Sequence, residues 1–206
     1  MKLLDKNEAM KQKEIVIREI KTSKIFVYPT EKEYQDATGE PSWSKGVARY
    51  DPKEILTFTW SSSFLDALLP HEITHLVFRD FVGFKGEVPL WLDEGVAQWE
   101  EPAKRTIAKQ IARSLIVNQK YYPIRDLTAM DIRNSKDEGA VQFFYMESVT
   151  VVEFLIKRYG AQSFTEFCRQ LRDGKSLDEA LTFTYSASMR NLEELQSQWI
   201  KYVMEG

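Results

Sequence analysis

A chain of 206 residues with 43% hydrophobic and 13% aromatic residues is long and apolar enough for one domain, or two closely packed lobes, around a real core. Its 28 basic and 31 acidic residues leave a net charge of −3, which points neither to a nucleic-acid partner nor to a general attraction to an anionic membrane. A single cysteine, Cys168, excludes an internal disulfide; within the apolar helical pattern of SFTEFCRQL it reads as a small buried hydrophobe.

Residues 1–23 are rich in lysine and glutamate and read as helical or loosely ordered. They contain no apolar core of the signal-peptide kind, and no apolar run in the chain approaches the length of a membrane span. The expectation is a chain that is soluble as given. Its cellular address is unread, and export is compatible with it if a leader or anchor preceded residue 1. KIFVYPT (24–30) has strand chemistry, and EKEYQDATG reads as a short helix stopped by Gly39. KGVARY (45–50) and EILTFTW (54–60) read as two strands joined at Asp51–Pro52. In the second, Leu56, Phe58 and Trp60 alternate with Ile55, Thr57 and Thr59, the pattern of a half-buried strand.

SSSFLDALLPHEITHLVFRDFVG then reads as a helix of about five turns, capped by a serine near position 62 and ended at Gly83. Pro70 either kinks it or starts the histidine-bearing part afresh. A loop over 83–89 leads to a helix from about Leu90 to Glu101, and another helix spans 103–118. Residues 119–139 read as irregular, and everything after Ala140 as helical. Strands therefore come first and helices after them. The expected fold is α+β: a small antiparallel or mixed sheet on the histidine helix (about 24–102), then a mainly helical lobe (about 103–206), in one domain over 1–206.

Both histidines of the chain, His71 and His75, lie in LPHEITHLVF. At a spacing of four they project from one helix face about 40° apart, so two imidazoles reach a single ion. Glu72 lies about 100° round the helix, badly placed as a ligand but within reach of a metal-activated water, whose proton a carboxylate can take. This is the mechanical content of H-E-x-x-H. A catalytic zinc takes three protein ligands and leaves a fourth position open. Glu94 supplies the third: eighteen residues lie between it and His75, enough to end one helix, turn, and lay a second antiparallel to it. Gly95 beside it lets two helix backbones approach closely. Asp80 is about 180° from His71 on the same helix and faces away; Glu87 falls in the loop, and Glu100 and Glu101 come two turns after Glu94. Positions 78 and 81 are both Phe, so the pattern that needs a third histidine is absent.

H-E-x-x-H, the eighteen-residue gap and WLDEGVA together resemble the gluzincin metallopeptidases, especially their aminopeptidase branch and the smaller bacterial peptidase MA-like domains. The resemblance runs from about Lys24 to Val203 and includes YPTEKEYQDATGEPSWSKGVARY, YGAQSFTEFCRQLRDGKSLDEALTFT and LEELQSQWIKYV. It implies one zinc ion on His71, His75 and Glu94, with Glu72 as general base. It also implies a zincin-like fold and a peptide or protein substrate; no nucleic acid is expected, on the charge balance given above.

In that family a tyrosine on a later helix, opening a motif resembling Y-E-K-G-A, stabilises the oxyanion. Tyr145 in FFYMESVTVVEFLIKRYG holds the matching place, although Met146, Glu147 and Ser148 stand where Glu, Lys and Gly would. Phe144, Tyr145, Ser148, Val149 and Val152 also form one helical stripe, the signature of a core aromatic. Tyr121, Tyr122 and Tyr159 are rivals for the role. Asp93, Gln98 and Glu147 are candidates to hold the outer nitrogens of the histidines, and Trp91 and Trp99 read as packing residues. The G-x-M-E-N motif that holds a free amine in the aminopeptidase branch is missing, which favours an endopeptidase. The alternatives are a catalytically inactive zinc-binding interaction module and a zinc hydrolase of non-peptide amides. Oligomeric state is unread.

Overall fold

The computed structural model describes residues 23–58, 64–83 and 85–205. The helical reading of residues 1–22, the end of the third strand at Thr59 and Trp60, and the serine cap near position 62 lie outside the described residues.

Strand β1 (Lys24–Tyr28) leads into helix α1 (Glu31–Thr38). The side chain of Thr30 caps the helix by accepting from the Glu33 amide at 3.2 Å, and Gly39 ends it in the left-handed region at φ 75°. Strands β2 (Gly46–Arg49) and β3 (Glu54–Phe58) complete a three-stranded mixed sheet of order β1-β3-β2. β3 runs parallel to β1, pairing Lys24 with Glu54 and Tyr28 with Phe58, and antiparallel to β2, pairing Gly46 with Thr57 and Arg49 with Glu54.

The half-buried reading of β3 is corrected: Ile55, Leu56, Thr57 and Phe58 are all buried. The strand is central and both of its faces are covered, which removes the alternation. On one face the fully buried Tyr34 of α1 packs on Leu56 and Phe58 and exchanges a 2.9 Å hydrogen bond with the Ser44 hydroxyl. On the other face Ile55 lines a small cavity with Ile73, Leu76 and Val77 of helix α2 (Leu69–Val82).

A π-helical turn (Phe64–Leu68) precedes α2, so the five-turn helix expected over 61–83 is a shorter helix with a wider turn before it. Pro70 stands in the first turn of α2, where its missing N–H is no loss. Gly83 ends the helix, its amide donating to Arg79 O at 2.8 Å. Helix α3 (Leu90–Trp99) then packs against α2, and α4 (Pro102–Val117) follows. The stretch 119–139 is not wholly irregular: it contains α5 (Ile124–Ala129), whose Ile124 and Leu127 are fully buried.

Helix α6 (Glu138–Arg172) is the axis of the helical lobe and is broken at Gly160 (φ 87°, ψ 156°). Helices α7 (Leu177–Tyr185) and α8 (Leu192–Met204) close the fold. By length and composition α6 could cross a membrane, a run that the sequence reading overlooked. Its Val149, Val151, Val152, Phe154 and Leu155 are spent on the core, buried against the other helices. Cys168 is buried as expected, and burial pushes its thiol up to about 12. Gly95 does permit a close helix approach, but the partner is α6 rather than the histidine helix. A Cβ at position 95 would come within 2.6 Å of Ser148 O and 2.7 Å of Val152 Cγ2.

Candidate metal centre

Helices α2 and α3 turn facing surfaces to each other, and their side chains bring three donors together. His71 Nε2 and His75 Nε2 are 3.1 Å apart. Glu94 Oε2 lies 3.7 Å from the first and 3.5 Å from the second. Ligand atoms on a tetrahedral zinc, each at 2.0–2.1 Å, are about 3.3 Å from one another, so this triangle has the right size. Glu94 Oε2 is also a buried oxygen with no hydrogen-bond partner, which a cation would satisfy. The donor set, two imidazoles and a carboxylate, suits zinc and leaves a position open.

The outer ring nitrogens are held by carboxylates. His75 Nδ1 is 3.1 Å from Asp93 Oδ1, and Asp93 is fixed in turn by Arg79, whose Nε donates to Oδ2 at 2.9 Å. His71 Nδ1 is 2.9 Å from Glu101 Oε1, which also accepts from Lys104 Nζ at 2.8 Å. An N–H donated outward from each ring leaves the Nε2 lone pair facing the centre. Asp93 is one of the candidates that the sequence offers for this position; Glu101 is read there only against Glu94 as a ligand, and its place at His71 is new from the structure. The signal was nevertheless present, because seven residues beyond Glu94 is about 20° short of two turns and returns to the same face. Gln98 and Glu147, the other two candidates, make no hydrogen bond to either ring. Gln98 is buried with its Oε1 unpartnered, and both oxygens of Glu147 accept from the Tyr122 amide at 3.0 Å.

Electrostatics follow from burial among carboxylates. Burial alone would lower both histidines. It is outweighed at His71 by the carboxylates of Glu101 and Glu94, and at His75 by Glu94 and Asp93, which push that ring up to about 10. Burial would raise Asp93 and Glu101, but His75 and Arg79 hold the first below its ordinary value and His71 and Lys104 the second. The carboxylates thus favour protons on this pair, but the 3.1 Å between the two Nε2 atoms leaves no room for an N–H on both, so one of them keeps its lone pair toward the other.

Glu72 is 4% exposed and turns toward β2, where its Oε1 would sit only 2.8 Å from a Cβ at position 46. Gly46 thus leaves the space the carboxylate occupies. Burial raises the Glu72 carboxyl, and the two histidines pull it back in part. Tyr145 comes from α6 on the far wall and lines, with His71 and Glu72, the cavities on either side of the centre. Burial, then the charges of Glu94 and Glu72, hold its proton on. Its ring packs edge-on against Trp43, whose Nε1 donates to Ser135 O at 2.9 Å.

The rival tyrosines are elsewhere. Tyr121 packs on Trp199, and Tyr159 on Phe154 and Tyr185. Tyr122 offers its backbone to Glu147. Asp80 faces the sheet, taking Lys53 at 2.9 Å and the Tyr50 hydroxyl. Trp91 is fully buried and donates to Thr128 Oγ1 at 3.1 Å, and Trp99 lies under Arg105. Both are packing residues.

A search of curated protein sequences finds no match. A model of the Peptidase MA superfamily matches residues 8–204, nearly the whole chain and all of the elements that build the centre. The chain belongs to the Peptidase MA superfamily.

Proposed function

We propose that the protein is a zinc-dependent peptidase of the gluzincin type that cuts within peptide chains. The observation that carries this reading is the donor triangle of His71, His75 and Glu94 with a buried, uncoordinated Glu72 beside it. Zinc held by these three residues supplies Lewis acidity toward a carbonyl and makes water a nucleophile near neutral pH.

Everything else falls to the chain. Glu72 takes the proton of the attacking water and hands it to the departing amine, a role suited to a carboxyl raised by burial. Tyr145, kept protonated, donates its O–H to the oxygen on which negative charge develops. Asp93 and Glu101 fix the two rings so that neither must reorient during turnover.

Among the described residues β2 is an edge strand, and it offers the substrate a strand to pair with, since Gly46, Val47 and Ala48 line the same cavity as His71 and Glu72. Cavities of about 360 and 290 Å³ lie on the two sides of His71 and Glu72. Room on both sides suits a chain that continues past the cut bond in both directions, which favours endopeptidase cleavage. Glu72→Gln tests the proposal: the variant is expected to keep about one equivalent of zinc and to lose peptide hydrolysis by about a thousandfold or more. Unchanged turnover removes Glu72 from its role. Failure of the native protein to hold zinc, with no effect of His71→Ala on metal content, removes the centre.

A further inference from the structure

The charged groups that line the two cavities are almost all committed. Arg79 is tied to Asp93, Glu94 lies against both imidazoles, and Glu72, itself without a hydrogen bond among the described residues, is the general base proposed above. Arg133 donates from Nε to Asp131 at 2.8 Å. On the other side Lys45 pairs with Glu31 at 2.7 Å and Lys104 with Glu101 at 2.8 Å. Glu40 is the exception. It lines the larger cavity and is half-buried, and among the described residues its carboxylate makes neither a hydrogen bond nor an ion pair. Burial pushes its carboxyl up, and Arg49 brings it only part of the way back. Its charge is felt by Glu72 and Tyr145, so it belongs to the cleft rather than to the outer surface. A partly desolvated carboxylate without a partner is costly, and a cation arriving with the substrate removes that cost.

The direction of β2 tells which part of a substrate passes Glu40. The strand starts at Gly46, over Glu72, and runs through Val47 and Ala48 to Arg49, the cation that acts on Glu40. A peptide added antiparallel, the slightly more stable pairing, runs the opposite way. Its residues before the cut bond lie over Val47–Arg49, in the cavity with Glu40, and those after it enter the cavity lined by Lys45 and Lys104.

We propose that Glu40 is a specificity residue of this cleft and receives a lysine or arginine side chain from the substrate residues just before the cut bond. The inference rests on the peptidase reading above. It is tested on the full-length, zinc-loaded protein with terminally blocked peptides that differ only by Lys, Gln or Glu at each of the two positions before the cut bond. Blocked termini leave the side chain as the varied charge. Two quantities are read: kcat/KM, and equilibrium binding of the same peptides to the Glu72→Gln protein by fluorescence anisotropy, which needs no turnover. Lysine is expected to exceed glutamine by about 10–100-fold, the contribution of a charge-assisted hydrogen bond, with glutamate weakest. Glu40→Gln should bring the Lys/Gln ratio near one, and Glu40→Lys should invert the order. Lysine moved beyond the cut bond should gain nothing.

Equal values for the three peptides in the native protein, or a lysine preference that survives Glu40→Gln, overturns the assignment. Peptides that bind with the expected order but are never cut defeat the peptidase reading and leave the Glu40 site standing. Peptides that neither bind nor react defeat both.

Discussion

Gly95→Ala isolates the contact that sets α3 against α6. The added Cβ would meet Ser148 O at 2.6 Å and Val152 Cγ2 at 2.7 Å, against the 3.4 Å at which ordinary contacts begin. One of these atoms is the backbone carbonyl of a long buried helix, so relief requires the helices to part by most of an ångström. Forced overpacking costs about 1–3 kcal/mol, and a backbone obstacle that cannot swing aside puts this site in the upper part, about 2–3 kcal/mol. Replacing a helix-interior glycine by alanine returns about 1 kcal/mol of helix propensity. The net expectation is a loss of about 1–2 kcal/mol. In a chain of this length that is a fall in Tm of about 2–8 °C, followed by circular dichroism at 222 nm on the metal-free protein. Gly95→Val should fall further. Because Glu94 is the adjacent residue on α3, parting the helices also moves its oxygen, and zinc affinity in a chelator competition should drop about tenfold. A Gly95→Ala protein as stable as the original, or more stable, would mean that the helix propensity is gained without a clash and that α3 and α6 are not packed backbone to backbone.

Other expectations follow from the outer contacts of the centre and from the buried acids. Glu101→Gln keeps the shape but weakens the hold on His71, and zinc affinity should fall about 10–100-fold with the melting curve of the metal-free protein little changed; equal affinity would make Glu101 a bystander. His75 is raised to about 10, so zinc bound to this pair must displace at least one proton at pH 7–8. Affinity should therefore keep rising with pH well past the ordinary histidine range, and calorimetric heats should depend on the ionisation enthalpy of the buffer; buffer-independent heats at pH 8 would refute this. Gly46→Ala presses on Glu72 Oε1 and should lower kcat with little effect on KM or on zinc content, whereas an unaltered kcat would show that the carboxylate has room to move. Burial raises Glu147 to about 8 from the ordinary 4.5. The folded state thus holds a proton that the unfolded chain gives up, and this group favours folding less and less as pH rises from about 4.5 to 8. At 1.36 kcal/mol per unit the swing is at most about 5 kcal/mol. Denaturant midpoints at pH 5 and 8 should fall less in Glu147→Gln than in the native protein, and parallel falls would rule Glu147 out as the cause.

The centre was legible because its geometry is short-range. His71, Glu72 and His75 share one helix, where a fixed angle per residue decides who faces whom, and Glu94 is one turn of chain away. Asp93 was within reach of the same reasoning. Glu101 was missed although the helical angle favours it, because α3 stops at Trp99 and the residue was judged only as a ligand to metal, never as a partner to a ring. The mixed sheet and the helical lobe were also readable, since strands and helices separate along the chain. Three features were not. The full burial of β3 depends on α1 covering its second face, a long-range fact. The short α5 has too few residues to declare a period. The partner of Gly95 is α6, more than fifty residues on in sequence, and no local pattern distinguishes it from α2.

The three carboxylates that face the imidazoles, Asp93, Glu94 and Glu101, stand on the segment from α3 to the start of α4, and both imidazoles stand on α2. A divalent ion held between them, as proposed above, would be a reversible cross-link between two stretches of chain. A ligand that binds only the folded state adds RT ln(1 + [L]/Kd) to stability, about 4 kcal/mol at a thousand times Kd. The melting temperature of this protein should accordingly track the logarithm of free zinc, which makes the fold itself a gauge of metal supply, readable in a cell extract without any substrate in hand.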